Sequence, residues 1–242
     1  MNSTPKTAPW LMLFARILLF FVIQALLAFG FALAKVPSPW ENSANWWPLI
    51  VLAANSVCLL LLVNFLRREG GRYWDLFKID RSHILRDVLM LLSSFLIGGP
   101  LSVIPNIILG GWLFGDPNAT MALFVRPLPL WAAWTGIVLF PLSQGLVELA
   151  TYFSYIMPRF QKQGMNLVLA ISLPALMLSL QHLAMPFLVD IRFILWRGLM
   201  YLPFAFFSAI LLHRRPRWLP YMTIIHTLMN MSFAFSFLSV AY

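Results

Sequence analysis

The fold class this sequence predicts is an all-α bundle, a polytopic membrane protein of about seven spans, and three observations predict it. Its 242 residues are 61% hydrophobic and only 10% charged, far from the balance of an ordinary water-soluble domain. Mean hydropathy is correspondingly high, at +0.82. The apolar residues also gather into seven stretches, roughly 11–34, 46–66, 84–111, 129–157, 167–187, 193–212 and 219–240, and a bilayer crossing takes ~20 residues of helix. These stretches use up the chain, so residues 1–242 form a single membrane domain.

Taken in order, residues 1–9 are polar with two prolines and read as a frayed end. The first span, from about residue 11, is preceded or opened by Lys6 and Arg16. Its Ala32-Leu33-Ala34 resembles a signal-peptide cleavage site, yet the apolar run from Ile17 to Ala34 is long for a signal sequence, so we read it as a span. The second span holds Cys58, which has no partner for a disulfide and reads as a small buried hydrophobe. Residues 67–87 form a basic loop with interspersed aromatics, expected to lie as a short surface helix on anionic lipid, with His83 solvated. The third span carries Pro100 and Pro105, the fourth Pro141, the fifth Pro174 and the sixth Pro203; each predicts a kink that neighbouring helices must satisfy. Between the third and fourth spans, Asn118-Ala119-Thr120 is a glycosylation sequon.

The net charge of +9 does not point to nucleic acid, because of where the charges fall. Lys6 and Arg16, the arginines and lysine of 67–87, Arg159, Lys162, Arg214, Arg215 and Arg217 make 13 of the 17 basic residues on one side of an alternating seven-span path. Lys35, Arg126, Arg192 and Arg197 fall on the other. The positive-inside rule therefore places the N-terminus in the cytoplasm and the C-terminus outside.

Glu148 is the one acid deep within an apolar stretch. An acid near the centre of a spanning helix costs at least ~2.5–3.5 kcal/mol, so a lone one marks a functional site by default. Gln144, Glu148 and Tyr152 are four residues apart and share a helical face, with Tyr155 three further on. His182, preceded by Gln181 and with Ser179 one turn back, lies in the fifth span; His226 and Asn230 share a face of the seventh. Glu148 and His182 are equidistant from Met165, so a hairpin turning beside Gly164 brings them to similar depth. Polar residues of this kind can be interhelical hydrogen-bond partners only, or Glu148 can be a proton relay in a small transporter. Serine or threonine would hold helices together without burying an acid, which favours chemistry: a carboxylate to take a proton, imidazoles to hold it or bind a metal, a carboxamide to stabilise an oxyanion.

These residues resemble the CPBP family of intramembrane proteases, which includes the CAAX endopeptidase and bacteriocin-processing or immunity relatives. The family pattern is Glu-Glu-x-x-x-Arg followed by Pro-Arg, then Phe-x-x-x-His, then His-x-x-x-Asn or Asp. Here the blocks read Glu148-Leu-Ala-Thr-Tyr-Phe-Ser-Tyr-Ile-Met-Pro158-Arg159, Leu178-x-x-x-His182 and His226-x-x-x-Asn230, within a core of about 140–235. Leu149 stands where the family has its second acid and Phe153 where it has its arginine. A register shifted by one would put Glu148 at the second acid and Val147 at the first, at the expense of the spacing to Pro158.

The resemblance implies an endopeptidase of the bacterial inner membrane, acting on a peptide or membrane-protein substrate. Glu148 and His182 would activate water, and His226 and Asn230 would bind a metal or stabilise the oxyanion. Zinc is the candidate cofactor, with Glu148, His182 and His226 as ligands, an imperfect set beside the usual three stronger ligands plus water. A pseudoprotease that binds a peptide or partner helix without cleaving it, as in bacteriocin immunity, is the alternative. If the lost ion pair was replaced as a unit, Leu149 and Phe153 pack on apolar neighbours and no other arginine reaches Glu148. The four site residues are expected in one cavity opening toward the cytoplasm.

Overall fold

The computed structural model describes residues 6–116 and 119–242. The described residues are 84% helical with no strand, and seven helices are long and apolar enough to span a membrane. They run Ala8–Leu33, Trp47–Arg68, Ile84–Phe114, Leu130–Lys162, Leu167–Ala184, Ile191–Arg214 and Pro216–Val240. The sequon's Asn118 lies outside the described residues. Of the polar start, residues 8 and 9 are already helical, because Pro9 in the first turn needs no amide partner and is preset for a helix.

Two sets of contacts establish the alternating path. At one end, Gln163 Nε2 donates to the Lys6 carbonyl at 2.9 Å, Arg159 pairs with Glu69, and Arg217 donates to Asp87 at 2.6 Å. At the other, Gln24 bonds the backbone of Phe187 in both directions at 2.9 Å and Leu130 N–H donates to the Tyr242 carbonyl at 2.8 Å. We call the first the basic end. There the 67–87 segment forms two short 3-10 turns, Tyr73–Phe77 and Arg81–His83, in place of the expected surface helix. Gly70 and Gly71 break the helix before them, and the buried Tyr73 anchors the segment by donating to the Leu146 carbonyl at 2.7 Å. His83 is half-exposed but paired to Asp80 at 2.8 Å.

The fourth span is the central element, packed against the first, second, fifth and seventh. It ends where Gly164 adopts φ +87°, a left-handed conformation that glycine takes without Cβ strain. Asn166 then caps the fifth span by accepting from the Leu169 amide at 2.9 Å. Pro100, Pro105, Pro141 and Pro174 lie inside helices, as the positions of the spans imply, whereas the sixth span breaks at Met200 and restarts at Leu202 with Pro203 in its first turn. Residues Ala150–Ile156 of the fourth span are wound as a π-helix. This wider turn lets Tyr152 face Gln181 of the fifth span while Tyr155 faces Glu69 of the second, so the polar face read from the sequence divides after Tyr152.

Leu149 and Phe153 are buried at 2% exposure in an apolar cluster with Tyr152, Phe160, Trp218 and Met222, which fills the basic half of the bundle. Cys58 is likewise buried. The fourth and seventh spans meet at Gly145, where a Cβ would collide with Thr227 Oγ1 and lie 3.2 Å from the Thr223 carbonyl. Because the close approach sets the spacing of the two helices that carry Glu148 and His226, Gly145→Val is expected to lower stability by about 1–3 kcal/mol or more. Gly99→Ala, with nothing within 4 Å of its Cβ, is the control. Thermal unfolding in detergent checks both; equal midpoints would contradict the packing.

Candidate functional site

Glu148 is buried at 1% exposure, and its two oxygens have different surroundings. Oε2 accepts from Gln144 Nε2 at 2.5 Å, Gln181 Nε2 at 2.6 Å and Arg16 Nη2 at 3.2 Å. Oε1 faces His226 Nε2 at 3.2 Å, a contact in ion-pair range without hydrogen-bond alignment. Arg16, at 0% exposure, donates through Nε to Gln181 Oε1 at 2.6 Å, through Nη2 to Gln144 Oε1 at 3.0 Å and through Nη1 to Asn55 Oδ1. Asn55 in turn donates to Gln144 Oε1 and Ser143 Oγ at 3.0 and 3.1 Å, and Tyr152 OH to Gln181 Oε1 at 3.1 Å. One network thus joins the first, second, fourth and fifth spans.

Arg16 overturns the expectation that no other arginine reaches Glu148. By sequence alone it is a topogenic residue at the mouth of the first span. The helix begins at Ala8, however, which carries Arg16 about 12 Å along its axis and beyond the basic end. The signal was available: the penalty that singled out Glu148 applies equally to an arginine set among Phe14, Ala15, Ile17 and Leu18. Asn55, missed altogether, is a polar residue of the same kind. Arg192 pairs instead with Asp190 at 2.9 Å, and Arg197 donates to the Met185 carbonyl at 2.6 Å.

Glu148, His182, His226 and Asn230 all line one cavity of about 290 Å³. His182 Nδ1 donates to the Leu178 carbonyl at 2.8 Å, which in the neutral ring leaves Nε2 as the acceptor, and the ring rests on Tyr201 with centroids 4.5 Å apart. His182 is tied to Glu148 through its neighbour Gln181. Asn230 Nδ2 donates to the carbonyl of His226, at 2.8 Å, so one amide proton is committed to its own helix.

The sequence reading expects the cavity to open toward the cytoplasmic, basic end; its lining by Trp47, Asn106, Phe124, Met185, Arg197 and Phe233 extends it from Glu148 into the opposite half. The apolar cluster that includes Tyr152 and Phe153 fills the basic half.

Of the three metal ligands named from the sequence, His226 Nε2 lies 3.2 Å from Glu148 Oε1. Among the described residues no three His, Cys, Asp or Glu side chains converge as a cage. Glu148 Oε2 is already taken by three donors, one of them a guanidinium whose charge repels a cation. Compared with protein-family models, curated proteins and solved structures, the chain matches none.

Removing one member of a buried ion pair strands the other, a loss of ~3–5 kcal/mol, whereas replacing both by apolar groups is often neutral. Arg16→Met and Glu148→Gln are each expected to destabilise strongly, and the double variant by less than their sum. Thermal unfolding of the three variants in detergent measures the coupling; strict additivity would contradict the pair.

Proposed function

We propose that the chain is an intramembrane endopeptidase of the CPBP type, cleaving a peptide or membrane-protein segment. The observation that carries this reading is the approach of His226 Nε2 to Glu148 Oε1 at 3.2 Å on the wall of a cavity, while Oε2 is held by Arg16, Gln144 and Gln181. One oxygen is fixed, and the other faces a group able to share a proton with it. In this reading, Oε1 takes a proton from water as the water oxygen attacks the peptide carbonyl. His226 stabilises the charge that develops and returns a proton to the leaving nitrogen, with His182 Nε2 as the second acceptor on the wall. The uncommitted amide proton of Asn230 is available to the oxyanion. No metal takes part in this scheme. By the positive-inside rule the cavity lies in the outer half of the bilayer, with the N-terminus in the cytoplasm.

A second reading is peptide binding without cleavage. It is favoured by the completeness of the Arg16–Gln144–Gln181 network around Oε2, an arrangement that also suits a purely structural carboxylate. His226→Ala separates the two more cleanly than Glu148→Gln, since it strands no buried ion. Cells producing wild type or His226→Ala at matched membrane levels are compared by mass spectrometry of membrane-derived peptides. The expected outcome is a set of new termini that falls at least ~100-fold in the variant, the scale of a lost acid–base catalyst. Identical termini in both would leave the binding role standing.

A further inference from the structure

Arg197 is 3% exposed, lines the same cavity and has no counter-ion: among the described residues, no ion pair includes it. Its Nη2 donates to the Met185 carbonyl at 2.6 Å, its Nη1 lies 3.7 Å from the Met200 sulfur, the Tyr201 hydroxyl is a further side-chain partner, and Nε is buried without a partner. A guanidinium carries five donors in a planar fork, and here Nε is spent on nothing and Nη1 on a weak sulfur acceptor. Around it are rings, with Phe124 5.0 Å, Trp196 5.4 Å and Tyr201 6.0 Å from the guanidinium carbon. These soften the burial of the charge but do not neutralise it. If the role were only to hold the Met185 carbonyl, a neutral glutamine would serve without placing a charge inside a membrane. Glu148 supplies no compensation, because its charge is met by Arg16.

We propose that Arg197 is a carboxylate-recognition residue, and that the cavity takes an apolar peptide segment whose one carboxylate seats on this guanidinium. The peptide part of this statement rests on the protease reading; the carboxylate part does not. The ligand chemistry follows from the walls. Met121, Phe124, Met200, Phe204 and Phe233 accept apolar side chains, and the unspent fork of Arg197 suits the two oxygens of a carboxylate. Tyr201 lies between the two ends, touching His182 on one side and Arg197 on the other, so the anchored carboxylate would fix which peptide bond reaches Glu148 and His226. Arg197 is in this sense a specificity-determining residue, separate from the acid–base pair.

The test is equilibrium binding to the full-length protein in lipid nanodiscs, with two matched pairs of probes. One pair is an apolar hexapeptide bearing a single carboxylate and the same peptide with that group as an amide; the other is decanoate and decanol. In wild type each carboxylate should bind roughly tenfold or more tighter than its neutral partner, the scale of a charge-assisted hydrogen bond. Arg197→Gln should reduce that preference to about twofold or less, and Arg197→Lys, which keeps the charge but not the fork, should fall between. Preference for decanoate without binding of either peptide would keep the carboxylate site and sink the protease reading. Equal binding of charged and neutral probes to wild type, no binding of any probe, or a preference that survives in a folded Arg197→Gln, would overturn the proposal. The wild-type comparison needs no variant, so a misfolded substitution does not decide the result.

Discussion

The ion pair between Arg16 and Glu148 is the constraint on which the rest of this molecule depends. Two charges at or below 1% exposure must satisfy each other and every remaining donor and acceptor within the bundle, because hydrocarbon offers no partners. The requirement fixes the order of packing around the fourth span. Gln144 on that span bridges Arg16 and Asn55, and Gln181 on the fifth bridges Arg16, Tyr152 and Glu148. A small rotation of any of these helices would leave a buried polar group unpaired. The network therefore specifies register, a role for which apolar packing between lipid-bathed helices gives less direction.

The same asymmetry creates the site. With Oε2 consumed by the network, Oε1 is the oxygen left to face the seventh span, and the close approach at Gly145 brings His226 to it. The apolar cluster around Leu149 and Phe153 closes the basic half, so the cavity develops on the other side of Glu148. With Phe153 buried in that cluster, the guanidinium that meets Glu148 comes from the first span, which ties that span to the fourth.

Much of this was legible in the sequence. The seven spans follow from length and hydropathy, the shared face of Gln144, Glu148 and Tyr152 from helical period, and the common depth of Glu148 and His182 from the position of Gly164. Three features escape that reading. Arg16 reads as topogenic because basic residues near a span's start carry that signal, although its apolar neighbours carry the same penalty that marks Glu148, and the helix start at Ala8 shows how deep it sits. The π-helical turn after Leu149 has no compositional mark, yet it directs Tyr155 away from the site to Glu69. The half in which the cavity lies depends on which half of the bundle the large side chains fill, a property of packing among non-neighbouring helices that no local pattern contains.

The most direct test of the account is the side from which the cavity is reached. Asn230→Cys on a Cys58→Ser background, in sealed right-side-out vesicles, is exposed to a small membrane-impermeant thiol reagent. The account predicts labelling from the outer face, because Asn230 lines a cavity in the half opposite the basic end. Labelling only after the cytoplasmic face is opened would contradict access to Glu148 and His226 from the half opposite the basic end.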